Sequence, residues 1–128
     1  MSLKTRLARL EDTLRSRSEI TIEDLKTLST EEHGTLDACV RFYDDSRLFV
    51  FEDSGYTEGG QIIQIEYSFH YQHADGALIF RYDNSPHFPD LPTFPAHKHT
   101  PDGVIASPAP DLADVLQEID ALLYPDRS

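Results

Sequence analysis

The run from Glu66 to His99, EYSFHYQHADGALIFRYDNSPHFPDLPTFPAHKH, decides how this chain is read. It holds five of the six histidines, and five of the eight prolines fall between Pro86 and Pro101. Asp75-Gly76 supplies the positive φ angles that a two-residue type I′ turn needs, so 61–73 and 77–83 are expected to form a hairpin. A loop of Asp75 and Gly76 alone sets His73 against Leu78, Tyr71 against Phe80 and Phe69 against Tyr82 on one face. The other face then carries Gln72–Ile79, His70–Arg81 and Ser68–Asp83, with Glu66 just beyond. A three-residue loop, Ala74 to Gly76, would pair Phe69 with Arg81 and mix the faces. A one-residue slip is costly where one face is buried, so the sorted register is the expectation. Directly opposed side chains then stand about 4.5–5.5 Å apart at Cβ, which gathers Glu66, Ser68, His70, Arg81 and Asp83.

The chain leaves this hairpin at Asn84-Ser85-Pro86 and runs through Pro89, Pro92 and Pro95. Proline fixes φ and biases the residue before it to extended geometry, so the loop should be stiff. It returns at His97-Lys98-His99, where an extended backbone points both histidines the same way.

Working outward, 128 residues suit one domain, expected over 1–128. Hydrophobic content is 39%, with no apolar run long enough to span a membrane. Lys4, Arg6, Arg9, Glu11, Asp12 and Arg15 interrupt any secretory h-region, and a single cysteine, Cys39, fits a reducing cytoplasm. Cys39 lies in an apolar strand pattern and is expected to be a buried, inert thiol. The net charge of −12 is uneven: residues 1–17 carry five basic and two acidic side chains, leaving six basic and 21 acidic for the rest. Such an acidic body repels nucleic acid at long range and suits a basic partner, or simply solubility.

Leu3, Leu7, Leu10 and Leu14 predict an amphipathic helix over 3–16 with Ser2 as N-cap. Its leucine stripe is either a core face or a docking surface flanked by Arg6, Arg9 and Arg15. Residues 19–30 lean to strand on the alternation of Ile20 and Ile22, although Thr21–Asp24 could cap a helix with Leu25 and Leu28 on one side. Residues 35–42 alternate as a strand ending at Asp44-Asp45-Ser46, and 47–53 is apolar on both faces at its centre, hence interior to the sheet. Ser54 to Gly60 reads as a loop, Val104-Ile105 as a short additional strand, and Pro110-Asp111 opens a last helix that Pro125 ends. The expected class is α+β: helix, antiparallel meander of four to five strands, proline-rich loop, helix, with one sheet face covered.

Three motifs carry a family resemblance: Tyr67-Ser68-Phe69-His70-Tyr71, Phe80-Arg81-Tyr82-Asp83-Asn84-Ser85-Pro86-His87 and Thr93-Phe94-Pro95-Ala96-His97-Lys98-His99. Their spacing resembles the TumE family, small bacterial and archaeal toxin components of toxin–antitoxin modules. The likeness extends over the Leu48–Glu52 strand and the Val115–Ile119 helix, most of the chain beyond Thr35. It implies a cytoplasmic protein neutralised by a helix-turn-helix antitoxin encoded beside it, and RNA cleavage is the usual default for such toxins. One departure stands out: a second histidine often follows Pro-His in that pattern, and here Phe88 takes its place.

A metal-independent ribonuclease needs a base for the 2′-hydroxyl, an acid for the leaving oxygen and a cation for the phosphate. Histidine serves the first two roles and arginine the third. His70, His87, His97 and His99 are the candidate acid and base, Arg81 the clamp, and Asp83 or Glu66 the group that orients an imidazole. No cofactor is expected. The plainer reading is a cross-strand polar network of His70, Arg81, Asp83 and Glu66 beside an Asn-Ser-Pro turn. His97 and His99 with His70 or His87 could instead hold zinc, although His-x-His alone is a weak signal. His33 and His73 lie by turns and are expected in solvent. The alternative class is a non-enzymatic acidic interaction module docking through Phe88, Leu91 and Phe94. A homo-oligomer, an antitoxin and RNA are the expected partners, with no membrane.

Overall fold

The computed structural model describes residues 1–126, so the last two positions of the unit expected over 1–128 lie outside the described residues. Helix α1 (Leu3–Arg15) leads into β1 (Thr21–Ser29), β2 (His33–Arg41), β3 (Arg47–Tyr56), β4 (Ile62–Gln72) and β5 (Leu78–Asp83). After the proline loop come β6 (His97–Thr100), β7 (Gly103–Ala106) and α2 (Leu112–Leu123). Every strand pairs antiparallel with its successor, giving one seven-stranded sheet in the order β1 to β7. The class is α+β as expected, but the meander has seven strands and not four to five. The extra length lies in β6, whose four residues are too short and too polar to show an alternating pattern, and in β7, the short strand expected at Val104-Ile105. Pairing supplies what periodicity lacks: β5 would otherwise present unpaired backbone at a sheet edge.

Both helices pack on the same face. Leu7, Leu10 and Leu14 of α1 and Leu112, Val115, Leu116 and Ile119 of α2 form one core with Leu36, Val40, Leu48, Val50, Phe69, Tyr71 and Phe80. The leucine stripe is therefore the helix's own core face, each buried leucine contributing about 1.5–3 kcal/mol by removal from water. Arg6 turns inward too, its guanidinium forking onto the buried Glu52 carboxylate at 2.9 to 3.2 Å. Arg15 pairs with Glu11 on the helix surface at 2.7 Å, and Arg17 pairs with Asp120 of α2. Ser2 caps α1 by accepting from the Thr5 amide at 3.1 Å, and Asp111 with Asp114 makes a reciprocal capping box at α2.

Residues 21–29 are a strand, and the helix-like spacing of Ile22 and Leu25 has a local cause. The ladder with β2 breaks between Ile22 and Asp24, so Glu23 is an extra residue and both apolar side chains reach the core. Strand β3 is interior, as its two-faced pattern implies, and continues to Tyr56 where a loop from Ser54 was expected. Ser54 is buried and donates to Glu52 at 3.1 Å, which holds that end of the strand in the sheet. The other sheet face carries the half-exposed Phe49, Ile63 and Ile65. Cys39 lies there as well, half-buried instead of in the core; burial and Glu23 push its thiol up, which keeps it a poor nucleophile.

The central hairpin combines the two alternatives for its turn. The loop is three residues, Ala74 to Gly76: the His73 amide donates to Ala77 O at 2.9 Å and the Gly76 amide to His73 O at 2.9 Å. Gly76 has φ 90°, the left-handed value that closes such a loop. The register nevertheless stays sorted. Tyr71 opposes Phe80 while Gln72 opposes Leu78, so Ile79 is a bulge that restores what the longer loop would have shifted. His70 faces Arg81, Ser68 faces Asp83 and Phe69 faces Tyr82.

Candidate active site

Strand β6 completes the site. It lies along β5 with His99 opposite Arg81 and His97 opposite Asp83. Combined with the β4–β5 register, this makes two rows across three strands, His70–Arg81–His99 and Ser68–Asp83–His97, on the face away from the helices. Lys98, between the histidines, points to the opposite face. Its ammonium bonds Glu118 of α2 at 2.7 Å and lies 4.9 Å from the Tyr82 ring centre. Alternation thus gives β6 one residue that anchors a helix and two that enter the site.

Asp83 is the hub. Its Oδ1 accepts from the Ser85 amide at 3.0 Å and lies 2.9 Å from His97 Nε2. Its Oδ2 accepts from Arg81 Nε at 2.9 Å and lies 3.3 Å from His99 Nε2. Burial alone would raise this carboxyl, but the Ser85 amide, Arg81 and His97 outweigh it and hold the group below the ordinary aspartate range. The Nε2 atoms of His97 and His99 are 3.1 Å apart. His97 donates through Nδ1 to the Pro95 carbonyl at 2.9 Å and is almost wholly buried, while the His99 side chain keeps 29% of its surface in solvent. Three ligand-type atoms, from Asp83, His97 and His99, lie within 4.8 Å of one another and form the group best suited to hold a metal.

Arg81 connects this trio to His70. One edge of its guanidinium is held by Asp83; NH1 lies 3.4 Å from His70 Nδ1, and 37% of the side chain is exposed. His70 also contacts Gln72 Oε1 through Nε2 at 3.1 Å, and its ring meets Phe49 edge-on. Burial lowers the His70 pKa, with Arg81 and His99 adding to the effect against the Gln72 bond, so the ring is neutral at pH 7. A neutral imidazole, a part-exposed arginine and a second, part-exposed imidazole therefore stand in one row. That set can accept a proton, bind an oxyanion and return a proton.

His87 and Glu66 are not brought in. His87 is exposed on the loop, and its amide donates to Ser85 O at 2.8 Å. Glu66 is exposed and faces Asp53 across the ladder, on the β3 side of the strand. The neighbour of His87, Phe88, supplies the cover: its ring lies 4.8 Å from that of His97 and 5.9 Å from that of His99. In an extended segment one of two adjacent side chains must turn inward, and the apolar one does. The Pro95 carbonyl and the Ser85 amide also escaped the residue-type search, because backbone groups leave no mark in a sequence. Asn84 continues the ladder with its side chain, accepting from the Tyr67 amide at 3.2 Å and donating to Ile65 O at 2.9 Å. His33 and His73 are exposed, and His33 pairs with Asp53 at 3.2 Å.

Comparison with known proteins adds one finding. The model of the family described as Toxin TumE matches residues 7–123, which reaches α1 and β1 as well as the three motifs. No curated protein and no solved structure gave a match.

Proposed function

The chain belongs to the TumE toxin family, and on that footing we propose that it is the toxin of a toxin–antitoxin module, cutting RNA by metal-independent acid–base catalysis at the His70–Arg81–His99 row. The observation that carries this reading is the guanidinium of Arg81, held at Nε by Asp83, with 37% of its side chain exposed, set between two imidazoles. Phosphate would bind the exposed part of the guanidinium and draw Nη1 off His70 Nδ1, which frees that lone pair. His70, neutral at pH 7, takes the 2′-hydroxyl proton; His99, bonded to Asp83, gives one to the leaving oxygen. His97 and Asp83 position His99, and the proline loop with Phe88 keeps them dry. A helix-turn-helix antitoxin would neutralise the chain, working in the cytoplasm, and a homo-oligomer fits the half-exposed Phe49, Ile63 and Ile65 on the open sheet face. No helix among the described residues is long and apolar enough to cross a membrane.

Those same exposed apolar residues favour a second reading, a protein-interaction module that catalyses nothing. One experiment separates the two. Arg81→Ala, His70→Ala and His99→Ala are expressed without the antitoxin, and growth arrest, RNA cleavage and melting temperature are measured on each. Acid–base catalysis predicts a loss of about 10²–10⁴ in cleavage rate for either histidine, with melting temperature little changed. Toxicity that merely follows the amount of folded protein in all three variants would establish the binding module instead.

A further inference from the structure

We infer that Asp83, His97 and His99 bind a divalent transition-metal ion of the zinc type, and that its occupancy excludes the acid–base state of the site. His97 Nε2 lies 2.9 Å from Asp83 Oδ1, His99 Nε2 lies 3.3 Å from Asp83 Oδ2, and the two nitrogens are 3.1 Å apart, so each carboxylate oxygen faces one imidazole. An ion with bonds of about 2.0–2.1 Å places tetrahedral ligand atoms about 3.3–3.4 Å apart, close to the spacing of each of these contacts, and with one atom from each residue the trio already lies within 4.8 Å, so a turn of the carboxylate closes it on the ion. Two imidazole nitrogens and one carboxylate are a borderline-soft donor set, better matched to Zn²⁺ or Co²⁺ than to Mg²⁺.

Proton bookkeeping points the same way. The Pro95 carbonyl only accepts, so the proton of neutral His97 sits on Nδ1 and its Nε2 carries a lone pair. That lone pair faces Asp83 Oδ1, which also only accepts, and His99 Nε2. In that form Asp83 Oδ1 and the His97 lone pair face each other beside His99 Nε2, an arrangement that a cation, or a proton on His99 Nε2, satisfies. Histidine ligands to zinc commonly donate their other nitrogen to a backbone carbonyl, which is what Pro95 receives. The frame is rigid: both histidines and the aspartate sit on paired strands, Ser85 and Arg81 orient the carboxylate, and Phe88 covers the rings. Arg81 adds an opposing charge nearby, which makes the ion exchangeable, and the exposed side of His99 leaves a coordination position open.

The inhibitory consequence, unlike the binding, rests on the ribonuclease reading: an ion on His99 Nε2 takes the place of the second proton that makes the ring an acid, so Nδ1 can no longer give one up. The purified full chain, stripped with a chelator, is titrated with Zn²⁺ by calorimetry, with Co²⁺ by its visible absorption, and with Mg²⁺. One Zn²⁺ per chain is expected, a four-coordinate cobalt spectrum, and no Mg²⁺ binding. His99→Gln, at a part-exposed position that should fold, should lower Zn²⁺ affinity at least tenfold, whereas the triple variant His33→Ala/His73→Ala/His87→Ala should bind as the parent does. Zinc lost with the triple variant and kept in His99→Gln overturns the site as surface binding. RNA cleavage is then followed with Zn²⁺ added and with chelator. Inhibition by Zn²⁺ relieved by the chelator supports both inferences. Cleavage with no Zn²⁺ bound sinks this one and leaves the ribonuclease reading standing. Cleavage that needs Zn²⁺ leaves the metal site standing and overturns both its inhibitory role and metal independence.

Discussion

The Arg6–Glu52 pair should be worth far more than an ordinary surface ion pair, because of where Glu52 sits. Its side chain is 2% exposed, on the helix-covered face of β3, and it accepts from Arg6 at 2.9, 3.0 and 3.2 Å, from Ser54 at 3.1 Å and from Gln64 at 3.0 Å. Removing Arg6 leaves a buried carboxylate with two neutral donors. Breaking a buried pair in this way costs about 3–5 kcal/mol, against about 0.2–1 kcal/mol for an exposed one. Arg6 is itself 28% exposed, so solvent can enter where the guanidinium was, and the lower end applies: about 3 kcal/mol for Arg6→Ala. For a chain of this length that is a fall in melting temperature of about 11 °C. Glu52→Gln keeps the hydrogen-bonding shape without the charge and should cost less than Arg6→Ala, while adding Glu52→Gln to Arg6→Ala should recover part of the loss. Urea and thermal unfolding of the single variants and the double variant give the coupling energy directly. A coupling under about 1 kcal/mol would refute the reasoning, since the pair would then behave as if solvated.

Three further outcomes follow from local structure. The Tyr67 hydroxyl is buried with no hydrogen-bond partner among the described residues, and burial with the nearby Asp83 charge pushes its pKa up to about 12. Tyr67→Phe should therefore gain about 1 kcal/mol at pH 7. A raised folded pKa means stability held below the unfolded value near 10 and lost as pH rises towards 12, so the variant should also show a shallower alkaline decline in urea titrations. Gly76→Ala, which meets no atom within 4 Å but needs φ 90°, should lose about 1–2 kcal/mol from backbone strain alone, measured by chemical unfolding. Asp111→Ala removes the N-cap of α2 and should cost about 1 kcal/mol on the same assay.

Much of the fold was legible because its elements announce themselves through period. The leucines of α1 at 3–4 spacing, the alternation from Leu36 to Phe42 and the apolar stripe of α2 all landed where they were expected. What stayed hidden was whatever depends on pairing. The helix-like offset between Ile22 and Leu25 is resolved by a bulge at Glu23, and no local signal distinguishes an extra residue in a strand from a turn of helix. The same holds at Ile79. There the turn type was misjudged, yet the functional register survived, because burial of Tyr71 and Phe80 on one face penalises the slip more than the bulge does. Cross-strand burial, not the Asp-Gly turn, thus keeps His70 opposite Arg81.

The site was legible to the extent that it is built on strands. His70, Arg81 and Asp83 could be grouped from alternation alone, and His97 and His99 from their spacing of two. Their meeting could not be read, since it depends on β6 adding to β5 in one register out of several. What selects that register is Lys98: its ammonium reaches Glu118 on α2 and lies against the Phe80 and Tyr82 rings only if His97 and His99 face the other way. A shift by one residue would bury two imidazoles against the core and leave the ammonium facing Asp83, so helix packing on one side of the sheet sets the chemistry on the other. The loop follows a similar logic. His87 was grouped with the other histidines on residue type, but its neighbour Phe88 is the side chain with apolar surface to bury, and it claims the inward position over His97. Residue type points to the side chain that could do chemistry, while folding first decides which one must leave water.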